Sequence, residues 1–228
     1  MKSLTVIMTA LNEQDNIQLA VQEMHKALSS KLSEFKIVVI NDGSSDNTKK
    51  ILDEMELKHL EVIHNPVNCG TGKSIRNYLS RLQTDYYCWY PTDLELAPGE
   101  VTKALDLMND YDIVVSYLVG DKRTSVRRFL SKTFTHILNL TFGKNLPYYN
   151  GVSLIKRELL PASHLLSSRR FFTHAEILIL SMRENAKITS VGFNLYPRHS
   201  GESKAMRIDA FLDVGVNFIR LILKKIRQ

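Results

Sequence analysis

Short apolar runs alternate with helical patterns through the first half of the chain. Residues 4–8 form such a run, which ends in the string Thr9-Ala10-Leu11-Asn12-Glu13. Across residues 15–28 the apolar positions Ile17, Val21, Met24 and Leu28 recur at steps of three and four, which predicts a helix. Residues 35–40 predict a second buried strand, cut off by Asn41-Asp42-Gly43. The next helix starts within residues 44–48, with Ser45 or Asp46 as its cap and Ile51, Leu52 and Met55 facing inward. Residues 60–63 read as a third strand, 69–82 as a helix opened by glycine, and 86–90 as a fourth strand running into Pro91-Thr92-Asp93. A helix over 101–108 and a strand over 113–117 complete the series. Repeated strand–helix units of this length predict an α/β fold, a mostly parallel sheet with helices on both faces. Such sheets bind ligands beyond the carboxyl ends of their strands, where most of the polar clusters fall.

The second half reads differently. Over residues 124–142 the pattern is amphipathic and basic: Val126, Phe129, Leu130, Phe134, Ile137 and Leu138 share one side, and Arg123, Arg127, Arg128 and Lys132 supply charge. Residues 143–172 carry no readable period. A last helix over 209–228 has one narrow polar stripe, Asp213, Asn217, Arg220, Lys224 and Arg227, on an otherwise apolar surface. A helix so widely apolar is buried by protein, in this domain or a second subunit, or laid into a membrane interface.

Charge sharpens this division. The chain of 228 residues has a net charge of +6, yet residues 1–120 are net acidic while the basic excess is concentrated in 121–170. An anionic partner is implied: phosphate, a membrane surface or nucleic acid. Tyr148, Tyr149, Phe171 and Phe172 lie near basic residues, but no recognised nucleic-acid motif accompanies them, so nucleic acid is not expected. Cys69 and Cys88 lack disulfide or zinc spacing and read as free thiols of a reducing compartment. Asn12, Glu13 and Asp15 interrupt any signal-peptide core, and no run of about 18 apolar residues exists to cross a bilayer. The expected location is cytoplasmic.

Acidic groups end three of the predicted strands: Glu13 after the first, Asp42 after the second, Asp93 and Glu95 after the fourth. Four carboxylates on one rim suit a hard cation or the hydroxyls of a ribose, since Mg²⁺ and Mn²⁺ choose oxygen ligands. Taken alone, Asp42 in Asn-Asp-Gly would be a turn residue.

The strings Thr9-Ala-Leu-Asn-Glu13 and Val38-Val-Ile-Asn-Asp-Gly-Ser-Ser-Asp-Asn-Thr48 resemble the opening of family-2 glycosyltransferases. Cys69-Gly-Thr-Gly-Lys73 is similar to that family's glycine turn, and Tyr90-Pro-Thr-Asp-Leu-Glu95 falls where it carries a metal-binding DxD motif. Asn150-Gly151, Glu176 and Arg198-His-Ser-Gly-Glu-Ser-Lys204 resemble the polyprenyl-phosphate branch, the dolichol-phosphate mannosyltransferase-like enzymes. The resemblance implies a GT-A, Rossmann-like catalytic domain over residues 1–205, with 206–228 as a basic amphipathic helix for a membrane interface or a dimer contact.

It implies equally an inverting transfer from a UDP- or GDP-sugar to a polyprenyl phosphate or related lipid-linked acceptor. Thr9, Leu11, Glu13, Asp42 and Lys73 would then line the donor pocket. Asp93 and Glu95 would hold Mg²⁺ or Mn²⁺, while Arg198, Ser203 and Lys204 would meet phosphate oxygens. Asp93, Glu176 and Arg198 are the catalytic candidates, Glu176 as a base or acceptor-positioning group, or else a helix-surface carboxylate. Arg123, Arg127 and Arg128 are candidates for an acceptor phosphate or for anionic lipid head groups. Such a chain works peripherally on the inner face of the membrane, or with a membrane-embedded partner. One position departs from the pattern: Pro91 replaces the first DxD acid, which leaves open a nucleotide-binding relative impaired in catalysis. A saccharide hydroxyl in polysaccharide or glycolipid synthesis is the rival acceptor, and it would need a base.

Overall fold

Long runs of β-branched residues in β1 (Leu4–Ala10) and β2 (Phe35–Asn41) are buried on both sides, as the inner strands of a parallel sheet require. The computed structural model describes residues 2–121, 123–170, 172–196 and 208–226. Around these strands stand α1 (Ile17–Ser29), α2 (Thr48–Asp53), β3 (Leu60–His64), α3 (Thr71–Leu79), β4 (Tyr86–Tyr90), α4 (Val101–Leu105) and β5 (Ile113–Val119). The second half adds α5 (Ser125–Phe142), β6 (Ser153–Lys156), α6 (Thr173–Ser181), β7 (Ile188–Asn194) and α7 (Ile208–Ile226).

The sheet runs β3-β2-β1-β4-β6-β5-β7. Its first four strands are parallel, β6 is antiparallel to both β4 and β5, and β5 pairs β7 in parallel. Two cores form on its two faces. Val6, Met8 and Val39 point to one, which is closed by Ile17, Val21 and Met24 of α1 and Val101 of α4. Ile7, Val38 and Ile40 point to the other, with Ile75 of α3, Leu138 of α5, Ile177 of α6 and Leu221 of α7. The mostly parallel α/β architecture expected from the sequence is the one present.

Several boundaries and faces differ from expectation. The helix expected over 69–82 is shorter because Gly70 sits at φ 89°, outside helical space. On α5 the expected apolar side divides: Leu138 is buried, but Val126, Phe129, Leu130 and Ile137 face out beside Leu140. The polar stripe of the last helix divides too, with Arg220 exposed and Asn217 buried. Asn217 turns inward beside Leu221, Phe218 meets the Phe142 ring at 6.4 Å, and Val216, Ile219 and Leu223 are exposed. Packing against the second core decided these faces, and amphipathic periodicity alone does not say which stripe finds protein. Among the described residues, no helix is long and apolar enough to cross a membrane.

Candidate functional site

In-register pairing of Ala10 with Asn41 ends β1 and β2 at one level, so the two following loops run side by side. They are laced together. Asn12, held in the left-handed region at φ 56°, accepts from the Ser45 N–H at 2.8 Å, and its own N–H donates to Ser44 Oγ at 2.9 Å. The Glu13 N–H donates to Thr48 Oγ1 at 2.9 Å, and the Asn47 N–H to Gln14 Oε1 at 3.0 Å. Leu11 and Glu13 are therefore mounted on a doubly supported rim, with the Glu13 carboxylate accepting from Asn16 at 2.9 Å.

Asp42 sits buried at the centre of this rim and gathers donors from three segments. Its Oδ1 accepts from Asn65 Nδ2 (2.8 Å), Ser74 Oγ (2.9 Å) and the Cys69 N–H and thiol (both 3.1 Å). Oδ2 accepts from the Gly70 N–H at 2.8 Å and keeps lone-pair capacity for a further donor. Burial alone would raise the Asp42 pKa, but the hydrogen bonds from Asn65, Cys69 and Ser74 outweigh it and hold the carboxyl below its ordinary value. Asp42 is thus a turn residue that also ties the start of α3, with Lys73 in its first turn, to the end of β2.

Thr9 lies at the floor. The Trp89 indole N–H donates to Thr9 Oγ1 at 3.3 Å, Thr9 Oγ1 meets Thr71 Oγ1 at 3.4 Å, and Thr92 Oγ1 donates to the Thr9 carbonyl at 3.2 Å. Trp89 in turn stacks on His174 with ring centroids 3.9 Å apart, and burial lowers the His174 pKa to about 4, so the ring is neutral near pH 7. This pair escaped the sequence reading. His174 lies two residues from Glu176, which is the only signal that pointed to its neighbourhood.

Asp93 follows β4 on the same rim. Leu94 takes the left-handed conformation at φ 58°, and the Glu95 N–H returns to Asp93 Oδ1 at 3.2 Å. The Glu95 carbonyl accepts from the Tyr196 N–H at 2.8 Å, which fixes the turn against the chain beyond β7. Among the described residues no group of three or more His, Cys, Asp and Glu side chains is arranged to hold a metal ion. Two half-buried carboxylates two residues apart nevertheless suit Mg²⁺ or Mn²⁺, which commonly take one or two carboxylates and complete their shell with phosphate oxygens and water.

The basic candidates separate. Arg123 is committed to Asp121, with Nε and Nη2 at 2.8 and 2.7 Å from its carboxylate, and its guanidinium lies 5.8 Å from the Tyr148 ring centroid. Arg128 is spent on the Asp121 and Arg123 carbonyls at 3.2 and 2.8 Å. Both brace the start of α5 through these contacts. Arg127 is half-buried in the first turn of α5. Arg198, Ser203 and Lys204 lie outside the described residues.

Glu176 also departs from expectation. It is fully buried, so it is no helix-surface carboxylate. Its oxygens accept from the Ser167 N–H at 3.0 and 3.1 Å, Ser167 Oγ at 2.7 Å and the Ser168 N–H at 2.9 Å. A carboxylate this buried and this well supplied with N–H donors has a structural role. Its work is to clamp the loop entering α6, and that loop lies on α3: the Gly72 N–H donates to the Arg169 carbonyl at 2.9 Å.

Residues 5–171 match the sequence profile of Glycosyl transferase family 2. An undecaprenyl-phosphate 4-deoxy-4-formamido-L-arabinose transferase of Klebsiella pneumoniae (strain 342) is 24% identical over 226 residues, 97% of this chain and 64% of that protein. The chain thus spans just under two thirds of that relative's length. A teichoic acid poly(glycerol phosphate) polymerase of Staphylococcus epidermidis aligns over 119 residues at 27% identity, covering 51% of this chain and 16% of the polymerase. Among solved structures, glucosyl-3-phosphoglycerate synthase from Mycobacterium tuberculosis, in complex with Mn²⁺, UDP and phosphoglyceric acid, superposes with a TM-score of 0.70. That match covers 98% of this chain and 78% of the synthase at 18% identity, a likeness of fold.

Proposed function

Because the chain belongs to Glycosyl transferase family 2, we propose that it moves a sugar, with inversion, from a UDP- or GDP-sugar to a polyprenyl phosphate or related lipid-linked acceptor. The observation that carries this reading is the convergence of Thr9, Leu11, Glu13, Asp42, Lys73 and Asp93 at the carboxyl ends of three parallel strands and the start of α3. Asp42 Oδ2 retains capacity to accept from a ribose hydroxyl or a base N–H, and the laced loops of Leu11 and Glu13 form the wall beside it. Asp93 and Glu95 would hold Mg²⁺ or Mn²⁺, whose chemistry there is to neutralise charge on the departing diphosphate. Thr9, Trp89 and the His174 ring stacked on it form the floor. Arg198, Ser203 and Lys204 are carried forward as phosphate contacts, on the strength of their motif.

A phosphate acceptor is favoured over a saccharide hydroxyl by the state of Glu176. Phosphate oxygen is already anionic and attacks without a general base, whereas a hydroxyl needs one. The printed name of the Klebsiella relative points to the same acceptor class. Phe129 and Leu140 of α5 are 69% and 71% exposed and Ile219 of α7 is 58% exposed, with Arg127, Lys132 and Arg220 on the same two helices. Exposed apolar side chains with cations on the same helices suit the surface of an anionic leaflet. On this reading residues 1–205 are the catalytic domain, α7 adds to the docking face, and the protein works peripherally on the inner face of a membrane.

Calorimetric titration of UDP and GDP with and without Mn²⁺ tests the donor site. At least one nucleotide should bind, about tenfold or more tighter with metal, and Asp93→Ala should remove that increment. Binding that ignores both metal and the substitution, or no binding of either nucleotide, contradicts the reading. Metal-dependent binding without transfer to any acceptor would point instead to a pocket that lost catalysis at Pro91.

A further inference from the structure

We propose that His64 is a positioning residue for the donor rim, acting through the Asn41 amide on the loops that carry Leu11 and Glu13. What the rim holds rests on the proposed function; the relay from His64 to the rim rests on geometry. In the parallel pairing of β2 with β3, His64 stands opposite Asn41, the last residue of β2 and the one before Asp42. Its ring nitrogen Nδ1 lies 3.1 Å from Asn41 Nδ2, and Nε2 lies 2.9 Å from Asp53 Oδ1 on α2.

A backbone donor decides which way this relay runs. Asn41 Oδ1 accepts from the Ser44 N–H at 3.0 Å, so the NH₂ group of the same amide is the one turned to His64. An NH₂ group donates, so Nδ1 is the acceptor and the ring proton sits on Nε2. Asp53 requires the same tautomer. Lys49 at 2.6 Å, and then His64 itself, hold the Asp53 carboxyl below its ordinary value, and a carboxylate accepts. Asn41 is buried, so its amide depends on these partners rather than on solvent.

Beyond Ser44 the relay enters the rim. Ser44 Oγ accepts from the Asn12 N–H at 2.9 Å, and Asn12 Oδ1 accepts from the Ser45 N–H at 2.8 Å. The loop after β1 is therefore placed by the loop after β2, whose first turn is set by Asn41. The groups facing the His64 ring are Asp53 of α2, with Lys49 on its other oxygen, and the neutral Asn41 of β2. A ring carrying two protons would keep its bond to Asp53 but turn an N–H towards the Asn41 NH₂ group. The amide could accept that N–H by rotating, which would face its NH₂ group to the Ser44 N–H. One of the two Asn41 bonds is lost in either arrangement. The neutral ring holds the rim, and the charged ring loosens it.

Hydrogen exchange of the peptide containing Ser44 and Ser45, and calorimetric titration of UDP and GDP with Mn²⁺, test it on the full chain. His64→Asn keeps an acceptor at the Nδ1 position and takes no proton, whereas His64→Leu removes the acceptor. At about pH 7.5 wild type and His64→Asn should exchange and bind alike, while His64→Leu exchanges this peptide roughly tenfold faster and binds nucleotide roughly tenfold more weakly. At about pH 5.5, where an imidazole ordinarily gains charge, wild type should fall behind His64→Asn by a similar factor in both readouts. Comparing the two proteins at one pH cancels the intrinsic exchange rate and the titration of the ligand's phosphates. That pair of proteins also decides the matter if His64→Leu misfolds. Equal exchange in wild type and variants at both pH values overturns the proposal, as does nucleotide affinity that stays constant while exchange follows His64. Exchange that follows His64 in a protein binding neither nucleotide supports the relay and removes the nucleotide-sugar reading.

Discussion

Replacing Glu176 by glutamine separates a clamp from a base. The side chain keeps its size, but one carboxylate oxygen becomes an NH₂ group facing donors. Ser167 and Ser168 present two backbone N–H groups and one hydroxyl to the carboxylate at 2.7 to 3.1 Å. With one acceptor oxygen left, at least one of these donors loses its partner and the remaining bonds lose their charge assistance. An orphaned buried N–H costs about 1–3 kcal/mol, and hydrogen bonds to charged groups contribute about twice what neutral ones do. The sum is roughly 2–4 kcal/mol. For a chain of this size each kcal/mol lowers the thermal midpoint by about 2–4 °C, so a drop of roughly 4–16 °C follows, read by calorimetry. A local signature should accompany it: trypsin should cut after Arg169 or Arg170 several times faster in Glu176→Gln, because the clamp that closes their loop has opened. A midpoint within about 1 °C of wild type, unchanged trypsin cleavage and a transfer rate lowered by roughly 10²–10⁴ would refute the clamp and restore the base.

Three further outcomes follow from the same geometry. Gly72→Ala places a Cβ 2.0 Å from Thr173 Oγ1 and 2.7 Å from the Ser168 carbonyl, so denaturant titration should show a loss of about 3 kcal/mol, the upper end of overpacking. The folded pKa of Asp42 lies below its ordinary 3.8, so its stabilisation is complete above that value and lost as pH falls through the folded pKa; stability curves of wild type and Asp42→Asn, well separated at pH 6, should converge below about pH 4. Substituting Phe129, Leu140 and Ile219 by serine should lower flotation with phosphatidylglycerol vesicles by roughly 100-fold while wild-type flotation weakens with salt, and equal flotation of both proteins would remove the docking face.

Much of the framework was legible because it rests on patterns a chain displays openly. β1 and β2 are largely buried apolar runs rich in β-branched residues, and Glu13, Asp42 and Asp93 each follow a strand end, where a parallel sheet offers its ligand site. The unread elements lacked such patterns. Thr-His-Ala-Glu-Ile-Leu-Ile-Leu-Ser of α6 is apolar on nearly all sides, so it shows no helical stripe. β6 has only four residues, and β7 is interrupted by Gly192, whose Cβ would meet Val119. Side-chain pairing is harder still to foresee. Nothing in the local sequence says that Arg123 meets Asp121, or that Glu176 turns towards Ser167. Those outcomes depend on which loops the fold brings together, here the α6 entry loop against Gly70 and Gly72.

The central claim is sugar transfer from a nucleotide diphosphate to a lipid phosphate, and the direct measurement is product formation across UDP- and GDP-sugars with Mn²⁺ or Mg²⁺, with and without a short polyprenyl phosphate. Product that requires both metal and the prenyl phosphate, and that disappears in Asp93→Ala, is the predicted result. Transfer to a saccharide hydroxyl without the lipid phosphate, or product formation that survives Asp93→Ala unchanged, would contradict it.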